Sequence, residues 1–236
     1  MRGLRWAYLI GIHAVLLVLV FKTDFLARAA WRLGLPADHP EMGRSWQHDV
    51  AWQLERIDGQ APPGAVLFLG DSITHAFHLG RFGRPAINLG IGYDTAAGVL
   101  ARLPRYRALA TASAVVVLIG INDHLYRDVP AVADYHAQIL RRLAAVPRVV
   151  AVSVTPVDEQ SPRHATDATN AWIAAVNRNL AAACATQANC RYADAWPGLT
   201  LGGAGLAPAF HVGDGLHLNP AGYDKLAAAI APALQP

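Results

Sequence analysis

The sequence contains little cysteine and few charged residues, and both features limit the classes of protein to which the chain can belong. Its two cysteines, Cys184 and Cys190, enclose only the short segment ATQAN. Without CxxC spacing or a nearby histidine pattern, the pair is a poor candidate for a metal site or for thioredoxin-like redox chemistry. A short disulfide in an oxidising compartment and two buried thiols are both open interpretations. Charged residues make up 16% of the chain and apolar residues 53%, which excludes a disordered chain and allows a substantial core.

An excess of one charge sign is also missing from most of the chain. Residues 1–35 hold five basic groups against Asp24 alone, whereas the other 201 residues hold 15 basic and 16 acidic groups. A domain with balanced charge has no electrostatic basis for binding nucleic acid, so no nucleic-acid partner is expected. The sequence has no internal repeat, and its length suits one domain of ordinary size.

A long apolar run occurs near the amino terminus. Residues 6–21, WAYLIGIHAVLLVLVF, have His13 as their one ionisable side chain and are flanked by arginines and by Lys22. This length favours an uncleaved signal anchor over residues 1–23, because a cleaved signal peptide has a shorter apolar region. Cleavage near residues 27–29 and a buried core helix are the alternatives. We expect the run to associate with a membrane and the rest of the chain to lie outside the cytoplasm, in a bacterial periplasm, or to be secreted after cleavage.

The remaining chain divides into a lead-in and a main domain. Residues 24–63 are predicted to form the lead-in, with an amphipathic helix that has Trp46, Val50, Leu54 and Ile57 on one face. Residues 64–236 are the main domain. Its predicted strands are 65–70, 85–90, 114–120, 148–154 and 190–195, and its predicted helices are 95–109, 130–145, 168–185 and 220–234. Nearly continuous apolar strands that alternate with helices predict a doubly wound α/β sandwich with a parallel sheet.

Polar residues with complementary chemistry follow these strands. Ser72 comes directly after the first strand and Asn122 after the third, at the edge where open α/β sheets bind ligands. Asp214 and His217 lie three residues apart, so a turn or helix places them on one side. A serine hydroxyl needs an adjacent base such as His217, which a carboxylate orients, and an oxyanion needs donors such as the Asn122 amide. Taken singly, Ser72 could be a helix N-cap and Asn122 a turn residue.

The order of four motifs resembles the SGNH (GDSL) hydrolase superfamily over residues 64–234. The motifs are GDS at 70–72, NLGIGYDT at 88–95, GIND at 120–123 and DGLH at 214–217. The second block, GIGYDTAAGVLARL, is especially similar to bacterial thioesterase/lysophospholipase and platelet-activating-factor acetylhydrolase-like branches. The resemblance implies a flavodoxin-like three-layer α/β/α sandwich with a five-stranded parallel sheet. It also implies that Ser72 is the nucleophile and a backbone oxyanion donor, Asn122 an oxyanion donor, His217 the base and Asp214 its partner.

One position departs from the family pattern. The oxyanion glycine of the family falls on Tyr93 in this sequence, with Gly92 just before it. Because the donor is a main-chain N–H group, tyrosine can still supply it, and Gly92 is the alternative donor. The Tyr93 side chain could then reach the acyl pocket.

We therefore expect a serine esterase that cleaves carboxylic esters through an acyl-serine intermediate. Candidate substrates are short acyl or acetyl groups on glycans, lysophospholipids and acyl thioesters. An envelope O-acyltransferase with the same triad and a non-catalytic envelope binding module are the alternatives, although binding alone needs none of the four site residues. No cofactor and no metal are expected. We expect Asp71 to fix a turn, and the histidines to be surface residues: His75, His78, His124 and His211.

Overall fold

The computed structural model describes residues 2–22, 45–163 and 165–235, and the chain divides into two compact units, Met1–Asp49 and Val50–Pro236. Helix α1, Arg2–Lys22, contains the apolar run at residues 6–21. Across the described ranges, no helix combines the length and the apolarity needed to cross a membrane. The expected membrane-spanning anchor at residues 6–21 is therefore not supported. The proposed cleavage region at 27–29 lies outside the described residues.

The predicted α/β alternation is present in the second unit. The strands are β1 (Val66–Gly70), β2 (Ala86–Gly90), β3 (Ala114–Leu118), β4 (Val149–Val152) and β5 (Cys190–Ala193). The helices that follow α1 are α2 (Ser45–Asp58), α3 (Ser72–His75), α4 (Ala96–Arg102), α5 (Val129–Arg142), α6 (Asn170–Ala185), α7 (Trp196–Thr200) and α8 (Pro220–Ile230). Short 3₁₀ helices span Leu79–Phe82, Leu103–Arg105, Arg107–Ala110, Ile121–Leu125, Pro208–Phe210 and Ala231–Leu234.

The five strands form one parallel sheet in the order β2-β1-β3-β4-β5. This is the flavodoxin-like order of doubly wound folds. In the register, Gly70 at the end of β1 pairs with Gly90 of β2 and with Leu118 of β3. The predicted fold class, a three-layer sandwich around a five-stranded parallel sheet, is confirmed, and the segments after β1, β2 and β3 leave the sheet at the same edge.

Alternating side chains of each strand enter two cores, one on each face of the sheet. Val66 and Phe68 of β1 face the core that α8 covers, whereas Leu67 and Leu69 face the core that α4 and α5 cover. Every residue of β1, β3 and β4 is buried. A parallel sheet that is covered on both faces requires such apolar strands, which is why the sequence pattern predicts it correctly.

Two predicted elements differ from the structure. The helix expected at 95–109 ends at Arg102, and 3₁₀ turns follow, because Pro104 cannot donate the next helical hydrogen bond. In α2, Leu54 is buried as expected, but Ile57 is 42% exposed. The buried position is Asp58, whose carboxylate accepts hydrogen bonds from the N–H groups of the 3₁₀ helix Arg107–Ala110. Residues 50–58, assigned to the lead-in by the sequence, thus belong to the same compact unit as the sheet.

Candidate active site

Ser72 is the first residue of α3 and follows β1 after the single residue Asp71. The Asp71 carboxylate caps the helix by accepting a hydrogen bond from the Ile73 N–H at 3.0 Å, in line with the expected turn role. Glycine is needed at the end of β1, because a Cβ atom on Gly70 would collide with the Leu118 carbonyl oxygen. The chain can therefore turn sharply out of the sheet and present Ser72 at its carboxyl edge.

Ser72, His217 and Asp214 are hydrogen-bonded in a row. The distance from Ser72 Oγ to His217 Nε2 is 3.0 Å, and that from His217 Nδ1 to Asp214 Oδ2 is 2.6 Å. Because an ionised carboxylate only accepts, Nδ1 carries the proton and Nε2 is left to accept from the serine hydroxyl. The His217 side chain is 39% exposed, so this arrangement is open to solvent.

The Asp214 carboxylate accepts further hydrogen bonds besides the one from the His217 side chain. Its Oδ1 atom accepts from the N–H groups of Leu216 at 3.0 Å and His217 at 2.9 Å. Partial burial alone would raise the pKa of Asp214, but the hydrogen bonds from the His217 side chain and from these two N–H groups outweigh it and lower the pKa below the usual value. The carboxylate is therefore ionised at neutral pH.

The candidate oxyanion donors lie on the loops after β2 and β3. The Asn122 side chain donates to the Asp94 carbonyl at 2.9 Å, which uses one of the two N–H bonds of its amide and ties the two loops together. Tyr93 has a φ of 59°, in the left-handed region, and the residue is 55% exposed. Gly92 is buried beside it. The two loops thus place Asn122 and Tyr93 on neighbouring segments.

A buried arginine joins the first two motifs. The Arg102 guanidinium donates to the Gly70 carbonyl at 3.2 Å and the Leu89 carbonyl at 2.7 Å, and it pairs with the Asp94 carboxylate at 2.8 Å. A buried charge has to be paired in this way. The role of Arg102 was missed by the sequence reasoning, although a charged residue within the apolar stretch AAGVLARL was a usable signal.

Carboxylates are concentrated beneath these loops. Asp123 accepts from the Ala96 N–H at 2.9 Å and pairs with Arg127 at 2.7 Å. Burial raises the pKa of Asp71 to about 7, although the hydrogen bond from the Ile73 N–H acts to lower it. The neighbouring carboxylates of Asp94 and Asp123 raise the pKa further. Within the described ranges, no three His, Cys, Asp or Glu side chains are grouped so as to hold a metal ion.

The four histidines that were expected at the surface lie partly at the surface and partly in the interior. His75 and His78 are exposed as expected, and His124 is half-buried against the Trp172 ring. The expectation of a surface position is wrong for His211, which is 8% exposed. Its Nδ1 atom accepts hydrogen bonds from the loop around Asp214, and its Nε2 atom contacts the Asp158 carboxylate.

The two cysteines lie away from the site. A disulfide joins Cys184 in α6 to Cys190, the first residue of β5. This is the amino edge of the sheet, opposite the carboxyl edge that carries Ser72.

The described residues combine a three-layer α/β/α fold with a serine that is hydrogen-bonded to a histidine–aspartate pair, an arrangement that also occurs in serine hydrolases. The model of the GDSL-like lipase/acylhydrolase family matches residues 68–225. The chain belongs to this family, and the resemblance seen in the four motifs is confirmed. No curated protein sequence matches significantly.

Solved structures share the fold. A protein from Streptococcus pneumonia, provisionally described as a platelet activating factor, has a TM-score of 0.74 and 21% identity over 80% of this chain and 92% of its own. A GDSL-like lipase from Bacteroides thetaiotaomicron has a TM-score of 0.64 and 21% identity over 78% and 96%. An acetyl xylan esterase variant from Geobacillus stearothermophilus has a TM-score of 0.57 and 20% identity over 72% and 94%. At these identities the likeness shows the fold alone.

Proposed function

We propose that the protein is a serine esterase that hydrolyses carboxylic esters through an acyl-Ser72 intermediate. The observation that carries this proposal is the row of hydrogen bonds from Ser72 through His217 to Asp214. Membership of a lipase/acylhydrolase family supports the same class of reaction.

Each residue has a step in the proposed reaction. His217 Nε2 takes the proton of Ser72 as Oγ attacks the ester carbonyl, and the Asp214 carboxylate stabilises the resulting imidazolium. The oxyanion accepts from the Ser72 N–H, the Asn122 amide and the main-chain N–H of Tyr93, for which Gly92 is the alternative. His217 then protonates the leaving alcohol, and in the second half it activates the water that releases the acid.

We propose short acyl groups, such as acetyl, on a bulky alcohol such as a glycan as the substrate class. The open position of the site supports this choice, because a 39% exposed His217 and a 55% exposed Tyr93 leave room for a large alcohol outside the protein. An acetyl xylan esterase is among the proteins that share the fold. Lysophospholipids and acyl thioesters are the competing substrates.

A chain-length series of p-nitrophenyl esters tests the proposal with Ser72→Ala and with Ser113→Ala as the matched control. Ser113 donates to the Gly64 carbonyl ahead of β3, away from the site. We expect Ser72→Ala to lose at least about 10⁴-fold in kcat and Ser113→Ala to keep its activity. A fluorophosphonate probe should label Ser72, and added sugar should receive no acyl group. Ester cleavage that survives in Ser72→Ala would contradict the proposal.

We also propose that the main domain acts outside the cytoplasm. The Cys184–Cys190 disulfide supports an oxidising compartment, and the apolar run after two arginines supports export. An alkaline phosphatase fusion at the carboxyl terminus of the full chain should be active, since that enzyme folds only after export. An inactive but intact fusion protein would overturn the proposed location.

A further inference from the structure

The imidazole of His211 lies against the backbone on both sides of Asp214. Its Nδ1 atom accepts hydrogen bonds from the Gly213 N–H at 3.0 Å and the Gly215 N–H at 3.1 Å. The side chain is nearly buried, at 5% exposed. These contacts are separate from the row of Ser72, His217 and Asp214 side chains, and none of the proposed reaction steps uses them.

The contacts determine which nitrogen of His211 carries the proton. Because two N–H groups donate to Nδ1, that atom must present its lone pair, so the proton of the neutral ring is on Nε2. Nε2 faces the Asp158 carboxylate at 3.2 Å and donates to it. Asp158 also donates its own N–H to the Gly215 carbonyl at 2.8 Å. His211 and Asp158 therefore both form hydrogen bonds with the loop around Asp214, His211 through Nδ1 and Asp158 through its main-chain N–H.

The loop around Asp214 needs such support because its flanking residues are glycines. Gly213 has a φ of 99° and Gly215 a φ of 76°, conformations that glycine adopts at little steric cost but that leave the backbone intrinsically free. The Asp214 carbonyl accepts from the Ala165 N–H at 3.1 Å, and the Gly213 carbonyl from the Ser161 hydroxyl at 3.3 Å. The two N–H groups on either side of Asp214 both depend on one atom, His211 Nδ1.

We propose that His211 is a positioning residue for the triad, which acts through Asp214. By accepting from the N–H groups of Gly213 and Gly215, it fixes the backbone that carries the Asp214 carboxylate, and so holds that carboxylate on His217 Nδ1. A misplacement of about 1 Å at such a contact can cost about 10²-fold in rate. The inference rests on the proposed esterase function for its kinetic readout, although its structural readout does not.

Two variants separate the two ring nitrogens. His211→Asn places an amide oxygen near the position of Nδ1 and can accept from the loop, whereas His211→Gln places its amide near Nε2 and can only reach Asp158. We expect His211→Asn to keep kcat within about threefold of the wild type and His211→Gln to lose roughly 10–100-fold, with KM changed less than about twofold in both. Equal losses in the two variants would overturn the proposal.

A double-mutant cycle tests whether the effect passes through Asp214. In an Asp214→Ala background there is no carboxylate to position, so adding His211→Gln should leave the residual kcat unchanged within about twofold. A role confined to general folding would lower the active fraction by the same factor in both backgrounds. A persisting loss of 10-fold or more on top of Asp214→Ala would contradict the proposal.

Asn189→Ala is the matched control for lost stability. The Asn189 amide donates to the carbonyls of Leu143, Ala144 and Val146 at the opposite edge of the sheet. Asn189→Ala should lower Tm, as we also expect for His211→Gln, while kcat per folded molecule stays at the wild-type value. A kcat loss in Asn189→Ala as large as that in His211→Gln would show that destabilisation alone accounts for the effect.

Proton NMR provides a readout that does not need turnover. The short His217–Asp214 hydrogen bond should give a strongly downfield Nδ1–H resonance, which we expect to be retained in His211→Asn and to broaden or move upfield in His211→Gln. If the wild type cleaves no ester but the resonance behaves in this way, the proposed function fails and the positioning role stands. An unchanged resonance in folded His211→Gln overturns the positioning role.

Discussion

Tyr93 has a backbone conformation that a bulky residue rarely adopts. Its φ of 59° places it in the left-handed region. A residue with a Cβ atom adopts this conformation at a cost of roughly 1–2 kcal/mol, whereas glycine adopts it without that cost. A left-handed backbone is consistent with the glycine that the family resemblance implies at this position. Strain of this kind is concentrated at functional sites.

Tyr93→Gly should therefore be tolerated. We expect it to raise the free energy of unfolding by up to about 1 kcal/mol, since relieved strain exceeds the added backbone entropy of glycine. Activity on acetyl esters should stay within about threefold, because glycine supplies the same N–H. Urea unfolding measures the change in stability, and kcat/KM on p-nitrophenyl acetate measures the change in activity. A loss of about 10²-fold in the folded variant would show that the phenol is the catalytic group. Tyr93→Pro is no substitute test, because proline cannot adopt a positive φ.

Asp71 makes stability depend on pH. Its pKa is raised from 3.8 to about 7, so the folded chain binds this proton more tightly than the unfolded chain. The contribution of Asp71 to stability is therefore full below about pH 4 and is lost as the pH rises towards 7, by at most about 1.4 kcal/mol per pH unit.

Asp71→Asn removes this titration while its amide oxygen can still cap the Ile73 N–H. We expect the stability of Asp71→Asn relative to the wild type to increase from about pH 5 to about pH 7.5, measured as the difference in Tm between the two proteins. Asp224→Asn, at an exposed carboxylate, controls for the loss of a negative charge. A difference between Asp71→Asn and the wild type that is constant over this range would contradict the raised pKa.

At the scale of elements, the Cys184–Cys190 disulfide connects α6 to β5. It closes a short loop at the amino edge of the sheet, so it restricts the unfolded chain without touching the site. Both cysteines are buried, which makes alanine a better replacement than serine.

The Cys184→Ala/Cys190→Ala double variant should be less stable with unchanged catalysis. A loop of this length predicts a loss of about 2 kcal/mol, or a fall in Tm of roughly 4–8 °C. Differential scanning calorimetry of this variant and of the wild type, with and without reductant, measures the effect. The wild type alone should respond to reductant; a response of similar size in the double variant would mean that the disulfide is not its cause.

At the scale of the whole molecule, residues before the sheet complete the compact unit. Leu54 in α2 is buried in one core, and the Asp58 carboxylate accepts from the Arg107 N–H at 2.7 Å and the Ala108 N–H at 3.2 Å. Removing these residues leaves a cavity and two backbone donors without their acceptor.

Two truncations test this dependence. A chain that starts at Ser45 keeps all of α2 and should match the full chain in urea unfolding of the main domain. A chain that starts at Gly64 should lose at least about 3 kcal/mol, because buried apolar area and a buried acceptor are lost together. Equal unfolding midpoints for the two truncated chains would show that α2 adds nothing to the domain.

Sequence patterns predicted the local parts of this protein well. The predicted strand segments match all five strands, and the pattern is strongest for β1, β3 and β4, because a strand buried on both faces must be apolar along its length. The motif order predicted that Ser72, Asn122, Asp214 and His217 would lie at the carboxyl edge of the sheet, because the carboxyl ends of parallel strands meet at one edge. Errors arose at element ends, as at Pro104, where helical periodicity continues but the hydrogen bonds do not.

The sequence by itself determined the alternation of strands and helices, the family and the chemistry available at the sheet edge. Only the tertiary structure decided the burial of Asp58, the Arg102 contact with Gly70 and the contact of His211 with Asp158. The reason is sequence separation. Hydrophobic periodicity and caps act within a few residues, whereas Arg102 meets a carbonyl 32 residues away and His211 a carboxylate 53 residues away. Such contacts form only once the sheet has brought distant segments together.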